Sequence, residues 1–152
     1  MRYIAHRGLT KGPDANLENR PEQILKSLGE GFDCEVDLWL VNSKYYLGHN
    51  SPTYLIDKEF LNQSGLWIHC KNLEALEFCQ NNIKLNYFWH QEDDYTLTSK
   101  GYIWAYPGKK LSKFSIMVMP ELVDPTLSNT RNVSCYAICS DYVQMISLDL
   151  QQ

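Results

Sequence analysis

The stretch FDCEVDLWLVNSKYYLGHN, residues 32–50, sets two acidic side chains, Glu35 and Asp37, inside a run that otherwise has the composition of a buried strand. Successive side chains of a strand alternate between faces, so Glu35 and Asp37, at i and i+2, point the same way. Two carboxylates on one face repel each other and cost free energy to desolvate unless something neutralises them. A hard divalent cation such as Mg2+ or Ca2+ does so. Pairing with Arg7 and Lys71, or exposure to water at the strand end, would do so as well.

Outward from this stretch, the whole chain sets the limits. Its 152 residues suit one domain, read as residues 1–152, with a real core and no room for a second. An apolar share of 44% with 21% charged residues is that of an ordinary globular protein, and no apolar run has the length of a membrane span. No stable membrane insertion is expected. The opening MRYIAHRG reads as a strand rather than a signal peptide, which favours the cytoplasm. Five cysteines, an odd number with no C-x-x-C, fit buried free thiols in a reducing compartment. A net charge of -4 argues against a nucleic-acid partner, whose phosphates are held by concentrated Lys and Arg. Composition leaves the oligomeric state open.

Strand-like segments are expected at 2–6, 34–41, 45–49, 66–71, 85–90, 102–106, 115–120 and 136–140. Two helices are expected between them. One is NRPEQILKSLGEG, with Asn19 as a possible cap and Pro21 in the first turn. The other is KNLEALEFCQNN, with Asn72 as cap. Strand, helix, strand, repeated twice, predicts a mostly parallel α/β sheet. The later links, 93–101 and 107–114, are too short for crossover helices, so the second half is expected to be eroded or partly antiparallel.

The polar residues fall in a pattern. IAHR, EVD, LGH, IHCK, FWHQED, VMPE and ICSD each place a charged residue or a histidine at the downstream end of an apolar strand. In a parallel sheet or barrel those ends converge on one face, where active sites of such folds are built. His69 and Lys71, also at i and i+2, can reach one point together.

IAHRG at the first strand, LENRPEQI opening the first helix, FDCEVDLWLV at the second strand and YYLGHNS after it resemble, in order and spacing, the glycerophosphodiester phosphodiesterase family. The resemblance is dense over residues 3–52 and continues through Lys71. It returns weakly at CYAICSDYV, and residues 72–134 do not align. It implies a (β/α) TIM-type barrel of the phospholipase-C-like phosphodiesterase kind and metal-dependent cleavage of a small phosphodiester. His6 and His49 match the family's general acid and base, a task suited to imidazole. Arg7 and Lys71 match residues that bind the substrate phosphate. Glu35 and Asp37 match metal ligands, and Glu18 and Asn19 match a Glu-Asn element lining the site.

The chain departs from the family in three ways. His69 stands where the family carries a third acidic ligand; it can still ligate Mg2+ or Mn2+, but nitrogen moves preference toward transition metals. The insertion that family members carry after the second strand is missing. The length also falls short of the roughly 200 residues or more of an eight-fold barrel. The expected form is therefore a compact barrel with several helices reduced to loops, or an incompletely closed one. His90, Glu92 and Trp104 are candidates to line the site, while Glu121 and Asp141 read as structural. Two other functions fit the same residues. One is a lipid phosphodiesterase of the phospholipase C or D type, or a lyase that stops at a cyclic product. The other is a non-catalytic phosphate-binding module.

Overall fold

The computed structural model describes residues 1–149. Ten strands of these residues form one sheet: β1 (Arg2–Ala5), β2 (Asp33–Val41), β3 (Lys44–Leu47), β4 (Tyr54–Ile56), β5 (Leu66–Cys70), β6 (Tyr87–Phe88), β7 (Tyr95–Leu97), β8 (Ile103–Ala105), β9 (Ser115–Val118) and β10 (Ala137–Ser140). Three helices accompany them among the described residues, α1 (Pro21–Gly29), α2 (Leu73–Gln80) and α3 (Val143–Asp149). Strands β6-β5-β2-β1-β10-β9-β8, in that spatial order, run parallel. β3 turns back antiparallel on the outer half of β2, β4 pairs with β3, and β7 pairs antiparallel with β8.

The sheet curls into a half-barrel. This corrects the expectation of a (β/α) TIM-type barrel, in its closed or incompletely closed form, because the repeating helix layer is missing and the molecule is mostly sheet. The cause lies in the connections. A parallel crossover through a helix takes about a dozen residues or more, but only residues 106–114 join β8 to β9, and the stretch from β6 to β8 is spent partly on β7, which runs antiparallel. The link from β9 to β10 is longer. It is spent on two 3-10 turns, Pro120–Leu122 and Ser128–Thr130, entered through left-handed backbone at Met119 and Leu127.

Helices persist where the strands leave an apolar outer face to cover. Cys34, Val36 and Leu38 of β2 and Leu66, Ile68 and Cys70 of β5 pack beneath Ile24 of α1 and Ala75 and Cys79 of α2, all buried. Ile146 of α3 covers Ile138 of β10 in the same manner. α1 starts with Pro21 at its first turn and has Arg20 at the cap without a side-chain bond, so the expected cap at Asn19 is corrected. Asn72 does cap α2, accepting from the Ala75 N–H at 3.2 Å, and it also bonds both backbone groups of Leu40. All five cysteines are free, four of them buried. No helix among the described residues is long and apolar enough to cross a membrane.

Inside the curl the alternate residues meet. Ile4, Trp67, Trp104, Ile116, Val118, Ala137 and Cys139 fill the concave face with apolar side chains. One layer nearer the downstream strand ends the same face turns polar, starting with Glu35 and Asp37.

Candidate functional site

The strand register builds the site. On β2 and β5, Glu35 lies opposite Trp67 and Asp37 opposite His69. Both carboxylates are almost wholly buried, at 2% and 1% exposure, so the solvated-strand-end alternative does not hold for either. The chain compensates them with polar groups arriving from four other segments.

The first is the turn His6–Gly8 that ends β1. Arg7 has left-handed backbone, φ 51°, and its N–H donates to Glu35 Oε2 at 3.1 Å. A β-carbon on Gly8, φ 78°, would lie 2.6 Å from the Ile24 side chain, so only glycine lets α1 approach this turn. The Arg7 guanidinium donates to Glu18 Oε2 at 2.7 Å and stands 3.4 Å from Asp37 Oδ2. His6 places Nδ1 2.8 Å from Asp141 Oδ1 and Nε2 4.0 Å from Glu35 Oε2.

The second is Asn19. Its left-handed backbone, φ 59°, buries it fully beside β2, where Nδ2 donates to Asp37 Oδ2 at 2.8 Å and Oδ1 accepts from the Asp37 N–H at 2.9 Å. Glu18 and Asn19 thus work as a pair, one holding Arg7 and the other Asp37. The third is His49, in the link that follows β3, with Nδ1 3.2 Å from Asp37 Oδ2. Gly48 beside it passes so near the chain that a β-carbon would sit 2.2 Å from the Ser51 carbonyl oxygen.

The fourth is the end of β5. His69 Nε2–H donates to the His90 carbonyl at 2.8 Å, and the ring stacks on Phe88 at 5.1 Å. Its Nδ1 therefore faces the carboxylates, 3.1 Å from Asp37 Oδ1 and 3.7 Å from Glu35 Oε1. Lys71 Nζ lies 3.5 Å from Asp37 Oδ1. Even so, Asp37 Oδ1 is buried without a hydrogen-bond partner.

Electrostatics follow from this crowding. Burial alone pushes the Asp37 carboxyl up, but the His49 hydrogen bond, the His69 ring at 3.1 Å and the charge of Lys71 outweigh it and hold the group well below the usual range. Glu35 goes the other way: burial and the charge of Asp37 raise it, despite His6, His69 and Arg7. Burial also disfavours the His6 imidazolium, yet the Asp141 hydrogen bond and the Glu35 charge prevail and raise it.

Glu35, Asp37 and His69 can each offer a ligand atom, all within 4.8 Å of one another. Two oxygens and one imidazole nitrogen suit a divalent ion, and the unpartnered Asp37 Oδ1 is the kind of acceptor such an ion satisfies. The residues therefore fit a cation.

The structure brings His6, Arg7, Glu18, Asn19, Glu35, Asp37, His49, His69 and Lys71 together. The other three candidates behave differently. His90 adjoins the cluster through its backbone carbonyl, while its own Nδ1 is buried without a partner. Trp104 is 4% exposed and stacks on Phe88 at 4.5 Å, so it supports the ring beneath His69 and does not line the site. Glu92 lies exposed on the β6–β7 loop and lines nothing in the cluster.

Two residues read as structural belong here. Asp141 holds His6, and Glu121 holds Asp141, accepting from its N–H and from Ser140 Oγ at 2.9 Å each. Their strand-end positions in VMPE and ICSD were the available signal; their partner, 135 residues away in the case of Asp141, was not. Comparisons of the chain with protein-family models, with curated proteins and with solved structures give no match.

Proposed function

We propose that the chain is a metal-assisted phosphodiesterase of the glycerophosphodiester phosphodiesterase kind, acting on a small phosphodiester. The observation that carries this reading is the matched attachment of His6 and His49. Each gives Nδ1 to a buried carboxylate, Asp141 or Asp37. A carboxylate only accepts, so Nδ1 carries the hydrogen in each neutral ring and Nε2 keeps the lone pair. Two imidazoles of one tautomer then flank one carboxylate cluster, as proton transfer to and from two oxygens of a diester requires.

His6 Nε2 or His49 Nε2 takes the proton of the attacking hydroxyl, and the other ring, as imidazolium, protonates the leaving alkoxide. Arg7 remains charged beside Glu35, Asp37 and Glu18, and with Lys71 it offers N–H donors to non-bridging phosphoryl oxygens. Glu35, Asp37 and His69 would hold the cation, which when bound would polarise the phosphate and offset charge on it. His49, one-third exposed, is the more open of the two rings toward substrate.

The test is hydrolysis of glycerophosphocholine and of an aryl phosphodiester, followed by phosphorus NMR, with and without chelator. The expected result is cleavage that chelator abolishes and a divalent ion restores. Cleavage unaffected by chelator would remove the metal from the reading, and no cleavage of any diester in the panel would remove the activity. A cyclic phosphate as the final product would make the protein a lyase instead.

A further inference from the structure

The cation reading rests on three ligands, and one of them says which class of ion to expect. We infer that the site selects a first-row transition ion such as Mn2+ over Mg2+ and Ca2+, because His69 is built as a fixed nitrogen ligand. This rests on the cation reading above and deepens it.

The fixing has three parts. The His69 Nε2–H is committed to the His90 carbonyl at 2.8 Å, so the neutral ring has its lone pair on Nδ1. Stacking on Phe88, at 5.1 Å with planes 8° apart, holds the ring's orientation. The Phe88 ring is held in turn by Trp104. A donated N–H to a carbonyl behind the ring and a lone pair in front is the arrangement that orients histidine on metals.

In front of the ring, Nδ1 faces two carboxylates, 3.1 Å from Asp37 Oδ1 and 3.7 Å from Glu35 Oε1. Asp37 Oδ1 has no well-formed hydrogen bond although Nδ1 stands at that distance. Ligands of one ion at about 2.1 Å and at right angles are themselves about 3 Å apart, close to the Nδ1–Oδ1 spacing.

An imidazole in a set of three changes selectivity. Ca2+ and Mg2+ prefer oxygen donors throughout, whereas nitrogen favours the transition series, in which Mn2+ is the weakest binder. The contribution of the nitrogen is then read from how far replacing His69 changes the preference for Mn2+.

The experiment is calorimetric titration of the chelator-treated full chain with Mn2+, Mg2+ and Ca2+ alone, together with electron spin-echo spectroscopy of the Mn2+ form. Mn2+ is expected to bind at least about tenfold tighter than Mg2+ or Ca2+, with nitrogen modulation in the spectrum. In His69→Gln the modulation should weaken and Mn2+ affinity fall by about 10- to 100-fold. His69→Glu should bind Mg2+ and Ca2+ as well as it binds Mn2+, a gain of binding that an unfolded variant would not show. Equal or tighter Mg2+ or Ca2+ binding by the parent chain, with His69→Gln unchanged, would overturn the inference and leave the cation reading standing. No binding of any of the three ions would overturn both.

Discussion

His6 and Asp141 meet at 2.8 Å from opposite ends of the chain, across the parallel pair β1 and β10. The contact fixes the His6 tautomer and directs Nε2 into the carboxylate cluster. Glu121 orients the Asp141 backbone from behind. Asp141 is therefore a positioning residue.

Asp141→Asn is close to isosteric and keeps the N–H that bonds Glu121. It can offer its amide hydrogens to Nδ1 and so stabilise the wrong tautomer. A fall in kcat of about 10-fold or more with little change in KM is expected, and nitrogen NMR of His6 should show the hydrogen moving to Nε2. Unchanged kcat with an unchanged tautomer would deny Asp141 this task.

His6→Ala and His49→Ala should each lower kcat by about 10²- to 10⁴-fold while leaving the far-ultraviolet circular dichroism intact. The double variant should fall well short of the product of the two losses, since the groups act in one proton inventory. Losses below about tenfold in both single variants would take the pair out of the chemistry.

Asn19→Ala removes one hydrogen bond to the buried Asp37 carboxylate and one from the Asp37 N–H, and puts alanine where the left-handed backbone suits asparagine better. A loss of about 2–4 kcal/mol in urea unfolding is expected. Asn19→Gly relieves only the backbone part and should recover about 1 kcal/mol. Wild-type stability in Asn19→Ala would mean that Asp37 finds its partners elsewhere.

The chelator-treated protein should be less stable in alkali than near neutrality. His6 is held above its ordinary value, so its contribution is present in full below the unfolded value of about 6.5 and lost as pH rises through the folded one. Glu35, also raised, loses its contribution in the same direction, starting from about 4.3. Asp37 is lowered; its contribution is present above about 3.9 and lost as pH falls through its folded value. The urea midpoint should then be lower at about pH 8.5 than at about pH 6, and a bound divalent ion should shrink the difference by standing in for the protons. A midpoint that rises between those two values would contradict the assignment.

Local pattern carried much of the site. Alternation in EVD put Glu35 and Asp37 on one face, and apolar runs marked β1, β2, β5, β9 and β10 within a residue or three. What failed was whatever depended on short or distant pairing. β4 and β7, three residues each between polar neighbours, lie in no apolar run and form by pairing with β3 and β8. α3, seven residues long, makes only about two turns, too few to show a helical period. Asn19 looked like a cap because Asn-Arg-Pro precedes a helix, but a buried carboxylate competes for the same amide. The barrel failed because the family resemblance stops where the connections shorten, and the resemblance rather than the residue count of those links set the expectation.

The place of β1 between β2 and β10 gives the site an order of assembly in time. Residues through Lys71 hold Glu35, Asp37, His49 and His69, and residues 88–90 fix the His69 ring, so a growing chain can gather the carboxylate cluster once β6 has emerged. His6 waits for Asp141, whose strand is synthesised almost last. N-terminal segments fold first during synthesis, and a contact spanning 135 residues is among the slow ones. A chain stalled before β10 would thus have Glu35, Asp37 and His69 gathered while its first histidine still swings free.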